Sequence, residues 1–185
     1  MIEERRLIKE IEIPEGITAS VEDDKITIKG NLGELSRKIK NPLVTAEVSG
    51  NKILLKPKKC TKKQKMLINT IKAHLTNMIK GVQEGFTYKL KICSGHFPMN
   101  ANVEGNKVVV KNYFGEKVPR EALILPGVQV EIKGDEIKVS GSDIEAVGQT
   151  ALNIEKSTSI KNRDRRIFQD GIWITEKAGK KVGEQ

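Results

Sequence analysis

The chain has few of the residues on which disulfide frameworks, metal centres and large aromatic cores depend. Its 185 residues include only two cysteines and two histidines, and aromatic residues make up 4% of the total. Cys60 and Cys93 fall at unrelated positions, which argues against a disulfide framework and is typical of a reducing compartment. We therefore expect a small aliphatic core, with no metal site and no cofactor.

Long apolar runs are also missing from the sequence. No segment approaches the length that a bilayer-spanning helix requires. The first residues, Met1–Arg6, lack the apolar stretch typical of a secretory signal. We therefore expect no membrane partner and a cytoplasmic location.

Positive charge is what the chain has in excess. Lys and Arg number 33 against 24 Asp and Glu, and the formal net charge is +9. The sequence pI is about 9.5. This balance favours an anionic partner, of which nucleic acid is the commonest, although a generic basic protein would have the same charge.

A pattern of turns and apolar positions occurs twice in the chain. Val21–Glu34 is echoed by Val103–Glu116, an offset of 82 residues, and Glu47–Ile53 is echoed in the same order by Glu131–Ile137. A period this long lies outside the range of solenoid repeats. It predicts a tandem duplication with two similar domains.

Each repeat begins with signals for antiparallel hairpins. Pairs of turn-forming residues separate short apolar runs, as expected for strands joined by tight turns; these pairs are Asp23-Asp24, Gly50-Asn51, Gly105-Asn106 and Gly134-Asp135. Gly33-Glu34 and Gly115-Glu116 indicate a further bend after the second strand of each repeat.

One helix follows the strands of each repeat. Thr61 and Gln64 have the spacing of a capping box, and Ser142 and Glu145 repeat that spacing. In the first helix an apolar stripe recurs at helical spacing before a predicted stop at Gly81; the stripe contains Leu67, Ile68, Ile71, Leu75, Met78 and Ile79. The second helix has a narrower stripe, Val147, Ala151 and Ile154.

These signals predict an α+β fold of two tandem similar domains, each a small antiparallel β-sheet with one main α-helix packed on one face. We place the first domain at 1–82 and the second at 83–160, opening with the alternating strand Phe86–Ile92. Residues 161–185 are predicted to form a basic C-terminal extension. Because the segment from Ser157 onward has little core potential, we expect it to become ordered on a partner.

Basic residues cluster in three regions that could track a phosphate backbone. The first region approaches and enters the helix of repeat one; it contains Lys56, Lys58, Lys59, Lys62, Lys63 and Lys65. The third region, near the end of the chain, contains Lys177, Lys180 and Lys181 and resembles many flexible basic tails. An ordinary solvated surface remains an alternative for such lysines.

The second basic region, Lys161–Trp173, is more specific. It combines Arg163, Arg165 and Arg166 with Phe168 and the only tryptophan, Trp173. Arginine suits phosphates and guanine edges, and aromatic faces stack on unpaired bases. The two aromatic residues could equally anchor the tail on the second domain. Asp170-Gly171 is predicted to be a turn.

The case for catalysis is poor. Cys93 and His96 lie three residues apart, but zinc needs further ligands and a Cys–His nucleophile pair needs a third, orienting group. No phosphate-cradling glycine loop occurs in either repeat. We therefore expect no catalytic residues and no enzymatic activity.

Several segments together resemble the large-subunit ribosomal protein L6 family, in its archaeal and eukaryotic branch. Besides the duplicated hairpins, they are Gly81–Leu90, Ser94–Asn100 with its His-Phe-Pro stretch, and Arg166–Ile174 with its Phe-x-Asp-Gly ending. The resemblance covers nearly the whole chain. Trp173 departs from the pattern, which has Tyr at this position in many relatives.

The resemblance implies binding to large-subunit ribosomal RNA, mainly through domain two and the C-terminal extension. In the family this site lies near the sarcin–ricin loop and the base of the factor-binding stalk, where other ribosomal proteins are neighbours. It implies RNA contacts at Arg163, Arg165, Arg166, Phe168, Trp173 and Lys177, which Lys180 and Lys181 would extend. It also implies a surface for RNA or a neighbouring protein at His96, Phe97 and Pro98.

The sequence therefore favours a structural RNA-binding protein of the large ribosomal subunit that supports translation. In this interpretation, Lys62, Lys63 and Lys65 supply further phosphate contacts. A protein–protein adaptor that binds acidic partners through the same basic faces is the alternative from another class. A small enzyme that uses Cys93 and His96 is a third option.

Overall fold

The computed structural model describes residues 8–22, 25–39, 43–58, 61–164 and 166–183. The chain separates into two compact units, Met1–Gly85 and Phe86–Gln185. The division falls within a few residues of the boundary placed at 82. The predicted turn at Asp23-Asp24 lies outside the described residues, as do Lys59, Cys60 and Arg165.

Unit 1 contains six described strands followed by one long helix. The strands are β1 (Lys9–Glu12), β2 (Thr18–Glu22), β3 (Lys25–Gly30), β4 (Gly33–Lys38), β5 (Val44–Ser49) and β6 (Lys52–Pro57), and the helix α1 spans Lys62–Gln83. They form two three-stranded antiparallel sheets, in the orders β1-β6-β5 and β2-β3-β4. The helix packs against strands of both sheets.

Unit 2 repeats this order and adds a C-terminal ribbon. Its elements are β7 (Phe86–Cys93), β8 (Asn100–Glu104), β9 (Lys107–Lys111), a 3₁₀ turn (Tyr113–Gly115), β10 (Arg120–Leu123), β11 (Val128–Lys133), β12 (Glu136–Gly141), α2 (Ile144–Ser157), β13 (Gly171–Lys177) and β14 (Lys180–Lys181). The sheets have the orders β10-β9-β8 and β11-β12-β7-β13-β14.

The predicted fold class is confirmed, and so is the duplication. Strands β5 and β6 before α1 correspond to β11 and β12 before α2, and every described strand pairing is antiparallel. One detail differs from the prediction, because the strands of each unit form two small sheets instead of one. The predicted hairpin turns after Ser49, Glu104 and Lys133 are confirmed.

The glycine at the head of each of these turns has a conformational reason to be there. Gly50, Gly105 and Gly134 all have positive φ, between 58° and 61°. A residue with a Cβ is strained in this region, whereas glycine enters it freely.

The helix starts follow the capping prediction only in part. Thr61 caps α1 as predicted, and its hydroxyl accepts a hydrogen bond from the Gln64 amide at 3.4 Å. At α2 the cap is Asp143, which accepts from the Glu145 amide at 3.0 Å, so the predicted Ser142 lies one residue too early. A carboxylate makes this cap favourable because it also faces the positive end of the helix dipole.

The predicted end of α1 at Gly81 is wrong. The helix runs on to Gln83, with Gly81 buried in its last turns. Gly85 follows with φ of +75°, and its amide donates to the Gly81 carbonyl at 3.1 Å. The left-handed residue that ends the helix is therefore Gly85.

Each unit has its own aliphatic core. In unit 1 the predicted helix stripe is buried against β-strand residues such as Ile26, Ile28, Ile53 and Leu55, although Leu67 is only partly buried. In unit 2 the core combines Val147, Ala151 and Ile154 of α2 with residues such as Leu90 and Ile137 of the sheet. The buried residues are mostly Ile, Val and Leu, as the low aromatic content predicts.

The C-terminal segment differs from the predicted extension. Strand β13 pairs with β7 along Gly171–Lys177, and Ile172 is 1% exposed in the core of unit 2. The segment is ordered on its own domain for two reasons. Strand β13 pairs with the edge of β7 that β12 does not cover, and Ile172 and Ile174 supply apolar contacts to the core. Ile172 and Ile174 were not identified as core positions from the sequence, because most residues of the segment are polar or charged.

Candidate nucleic-acid interface

The site in unit 2 is built around a buried carboxylate. Asp170 is 4% exposed and lies immediately before β13. Its two oxygens accept hydrogen bonds from the Gly95 amide at 2.8 Å and the His96 amide at 3.0 Å, and His96 Nδ1 lies 3.2 Å from Oδ1. Asp170 thereby ties the loop after β7 to the segment that leads into β13.

The charge of Asp170 is maintained by these partners. Burial by itself favours the neutral acid, but the hydrogen bonds from Gly95 and His96 outweigh burial and hold the pKa of Asp170 below its usual range. The predicted turn at Asp170-Gly171 is wrong, since Gly171 opens a strand. In the sequence, Asp170 belonged to the Phe-x-Asp-Gly ending, but nothing local indicated that its carboxylate is buried.

Three rings lie over this anchor and form what we call the aromatic cluster: His96, Phe114 and Phe168. The Phe168 ring centroid lies 5.2 Å from that of His96 and 5.7 Å from that of Phe114. The guanidinium of Arg163 lies over the cluster, 4.7 Å from the Phe114 centroid and 5.1 Å from the Phe168 centroid. Such cation–π contacts orient an arginine while its outer edge remains accessible.

An unusual backbone turn presents Phe114. Asn112 and Phe114 have positive φ, 61° and 49°, values that are uncommon for residues with a side chain. Asn112 Nδ2 donates to the Pro98 carbonyl at 2.9 Å, and Gly115 packs close to Phe97, whose ring a Cβ on Gly115 would contact at 3.6 Å. This turn therefore supports the His96–Pro98 loop, whose exposed Phe97 lies at the surface.

A second arginine fixes the base of the turn. The Arg120 guanidinium lies 4.1 Å from the Tyr113 ring centroid and donates to both carboxylate oxygens of Glu116, at 2.8 and 2.6 Å. It also donates to the carbonyls of Ser157 and Ser159. Hydrogen bonding to Arg120 lowers the pKa of Glu116. Neither Tyr113 nor Arg120 was identified from the sequence, because the carbonyl groups that they bind, in residues 157–159, are distant along the chain.

The other residues of the second basic region have different surroundings. Arg166 is 90% exposed and pairs with Asp164, with Nη2 2.9 Å from Oδ2, which lowers the pKa of Asp164. Trp173 is 41% exposed, and its indole nitrogen donates to the Gln169 carbonyl at 3.2 Å. Lys177, Lys180 and Lys181 are exposed on the β13–β14 ribbon, where Lys177 faces Lys180.

Lys62, Lys63 and Lys65 are exposed in the first turn of α1, in unit 1. The structure therefore places the predicted RNA contacts on both units, while it brings Arg163, Phe168 and the His96–Pro98 loop together on one surface. Arg165 lies outside the described residues.

The geometry does not assemble the hypothetical Cys93–His96 pair. The Nδ1 atom of His96 is engaged by Asp170, the ring packs on Phe168, and within the described ranges no hydrogen bond joins Cys93 to His96. The described part of the chain contains no cluster of three or more His, Cys, Asp or Glu residues able to hold a metal ion. It also contains no helix long and apolar enough to cross a membrane.

The fold and this site define a duplicated α+β protein. Its second unit has a surface that combines basic and aromatic side chains, which is typical of nucleic-acid-binding proteins. The family model described as ribosomal protein L6 matches residues 13–85 and 97–171, one match in each unit. The chain belongs to this family, whose members are structural proteins and not enzymes.

Two archaeal relatives cover nearly the full chain. A protein named large ribosomal subunit protein uL6 from Methanococcus vannielii is 44% identical over 172 residues, covering 93% of this chain and 94% of the relative. A protein of the same name from Aeropyrum pernix is 42% identical over 178 residues, covering 96% and 98%. The resemblance to this family, in its archaeal and eukaryotic branch, is confirmed, and both relatives are archaeal.

Proposed function

We propose that this chain is a structural constituent of the large subunit of cytoplasmic ribosomes, where it binds large-subunit ribosomal RNA and supports translation. Membership of the family and the names of the two archaeal relatives support the assignment to the large subunit. The observation that carries the RNA-binding part is the convergence of Arg163, Phe168 and the His96–Pro98 loop around Asp170.

The second unit is the main RNA contact in this proposal. Arg163 is pre-oriented by two aromatic rings, so it loses little freedom when it binds a phosphate. Lys177, Lys180 and Lys181 are exposed and extend positive charge along the ribbon, whereas the exposed Arg166 is paired with Asp164. Each phosphate that these groups neutralise releases counterions, which drives binding at low salt.

The proposal also gives the RNA contact a location on the ribosome. By its family resemblance, the chain would lie near the sarcin–ricin loop and the base of the factor-binding stalk. The His96–Pro98 loop, with Phe97 43% exposed, would face RNA or a neighbouring ribosomal protein there. Lys62, Lys63 and Lys65 of unit 1 would add phosphate contacts.

Binding to large-subunit ribosomal RNA across a salt titration tests the proposal, with an unrelated RNA of equal length as control. We expect preference for the ribosomal RNA and a log–log slope of roughly −0.7 to −0.9 per phosphate contact. Replacing Arg163, Arg165 and Arg166 by Ala should weaken binding and flatten the slope without loss of helix or sheet signal.

A matched variant with Lys62, Lys63 and Lys65 replaced by Ala removes the same charge from unit 1. The arginine variant should lose more affinity than this control if unit 2 is the main contact. Equally weak binding of the wild type to both RNAs would instead favour the adaptor function, especially if acidic protein partners bound with little dependence on salt.

A further inference from the structure

An open groove lies beside the aromatic cluster in unit 2. It has a volume of about 380 Å³ and is lined by Cys93, Ile160, Phe168, Gln169 and Trp173, which we call the aromatic groove. None of these five side chains carries a negative charge. Small-molecule ligands typically occupy pockets of roughly 300–1,000 Å³.

One wall of the groove is a fixed indole with an accessible surface. Trp173 sits on β13 and is anchored at its nitrogen by the Gln169 carbonyl, yet it remains 41% exposed. Tryptophan side chains are highly buried on average, and they are enriched at interfaces. Because its position is already fixed, little conformational freedom is lost when a second ring stacks on it.

Positive charge flanks the groove on two sides. Lys91 of β7 is exposed and lies in register between Trp173 of β13 and Glu136 of β12, so the side chains of Lys91 and Trp173 point to the same face of the sheet. On the other side, the Arg163 guanidinium lies 5.1 Å from the centroid of Phe168, which also lines the groove. A flat apolar slot between cations matches a ligand that has a planar ring and an attached phosphate.

We propose that the aromatic groove binds one unpaired RNA base, stacked on Trp173, with its phosphate held by Lys91. This inference rests on the proposed RNA-binding function and narrows it to a nucleotide in a loop, bulge or single strand. Bases within an RNA helix keep their faces stacked and are inaccessible to the groove. An apolar side chain of a neighbouring protein would fill the slot but leave Lys91 without a role.

The single tryptophan makes the groove directly observable, because all tryptophan fluorescence of the chain comes from Trp173. The intact chain is titrated with a mixed-sequence single-stranded octaribonucleotide and with the same sequence as a duplex. We expect the single strand to quench the fluorescence and the duplex to leave it nearly unchanged.

Affinity for the single strand should depend on the ring at position 173. Trp173→Ala should weaken binding about tenfold, within the range for loss of one stacked base, whereas Trp173→Phe should retain most of it. Lys91→Ala should weaken binding and reduce its salt dependence. Leu123→Ala provides a matched control, since Leu123 is 61% exposed on β10 and is not part of the groove. Circular dichroism checks that each variant is folded.

Protection of Cys93 gives a second readout. In a Cys60→Ser chain, Cys93 is the only thiol and lines the groove. Its rate of alkylation should fall when the single-stranded octaribonucleotide is bound, and the duplex should protect it much less.

The outcomes separate this inference from the function on which it rests. If the chain binds large-subunit ribosomal RNA but no RNA quenches Trp173, and Trp173→Ala binds like the wild type, the groove is not a base site although the function stands. If the fluorescence is quenched only in assembled ribosomal particles, and Trp173→Ala leaves the affinity for the octaribonucleotide unchanged, the inference is overturned. If the wild-type chain does not bind large-subunit ribosomal RNA at all, the proposed RNA-binding function is rejected.

Discussion

Asp170 is the residue that connects the two halves of the unit 2 site. It accepts hydrogen bonds from the amides of Gly95 and His96 while it is almost wholly buried. Leaving such donors without an acceptor costs about 1–3 kcal/mol. Asn keeps the shape of the side chain but offers one acceptor oxygen where two are used, and it turns an NH₂ group toward an N–H donor.

We predict that Asp170→Asn lowers the free energy of unfolding by about 1–3 kcal/mol at neutral pH. The folded-state pKa of Asp170 is depressed, so its stabilising effect is complete above the unfolded-state pKa of about 3.9 and is lost as pH falls through the folded value. The difference between wild type and variant should therefore shrink below about pH 4.

Urea unfolding at pH 7 and pH 3, followed by Trp173 fluorescence, measures both effects. Asp135→Asn is the matched control, because Asp135 is exposed in the β11–β12 turn. A pH profile that is the same for all three chains would mean that the Asp170 charge has no role in stability.

At the scale of elements, unit 2 differs from unit 1 by the β13–β14 ribbon. The ribbon pairs with β7, a position that has no counterpart in the described part of the first unit, where β1 pairs only with β6. Helix α2 also packs against β13. The strand that carries Trp173 is therefore part of the sheet that supports the site.

We predict that a chain ending at Asp170 fails to fold its second unit, because β7 loses its neighbour and the core loses Ile172. A chain ending at Lys177 loses only β14 and the residues after it, and it should stay folded. Thermal unfolding followed by circular dichroism compares the two. If both truncated chains are folded and equally stable, β13 is not required for the fold of unit 2.

At the scale of the whole molecule, two units with separate cores share one basic chain. The cores contain different residues, and the units comprise residues 1–85 and 86–185. Segments of this length are within the range of independently folding domains.

We predict that fragments 1–85 and 86–185 each fold when they are expressed alone. Hydrogen exchange should show protected amides in α1 of the first fragment and in β7 and β12 of the second. Exchange without protection in either fragment would mean that this unit depends on the rest of the chain.

The sequence predicted most of the elements but few of the contacts between them. The hairpin turns, the stripe of α1 and the strand Phe86–Ile92 rest on local periodicity and turn chemistry, which are readable without a structure. The ends of elements differ from the predictions: Gly85 and not Gly81 ends α1, and Asp143 and not Ser142 caps α2.

The candidate site was predicted as separate pieces. Arg163, Phe168 and the His96–Pro98 loop were identified from composition and resemblance, but nothing local indicated that they meet. Their meeting depends on Asp170, which lies more than 70 residues from its partners Gly95 and His96. Arg120 and Asn112 were not identified either, because the carbonyl groups that they bind are 14 to 39 residues away.

By itself, the sequence determined the duplication, the α+β class, the family and the basic character of the protein, because these depend on order, periodicity and composition. Only the tertiary structure decided that the C-terminal segment is a strand of unit 2 and that a buried carboxylate joins the loop to it. Pairing along β7 and burial of Ile172 are long-range interactions, and their energy depends on which distant residues the fold brings into contact.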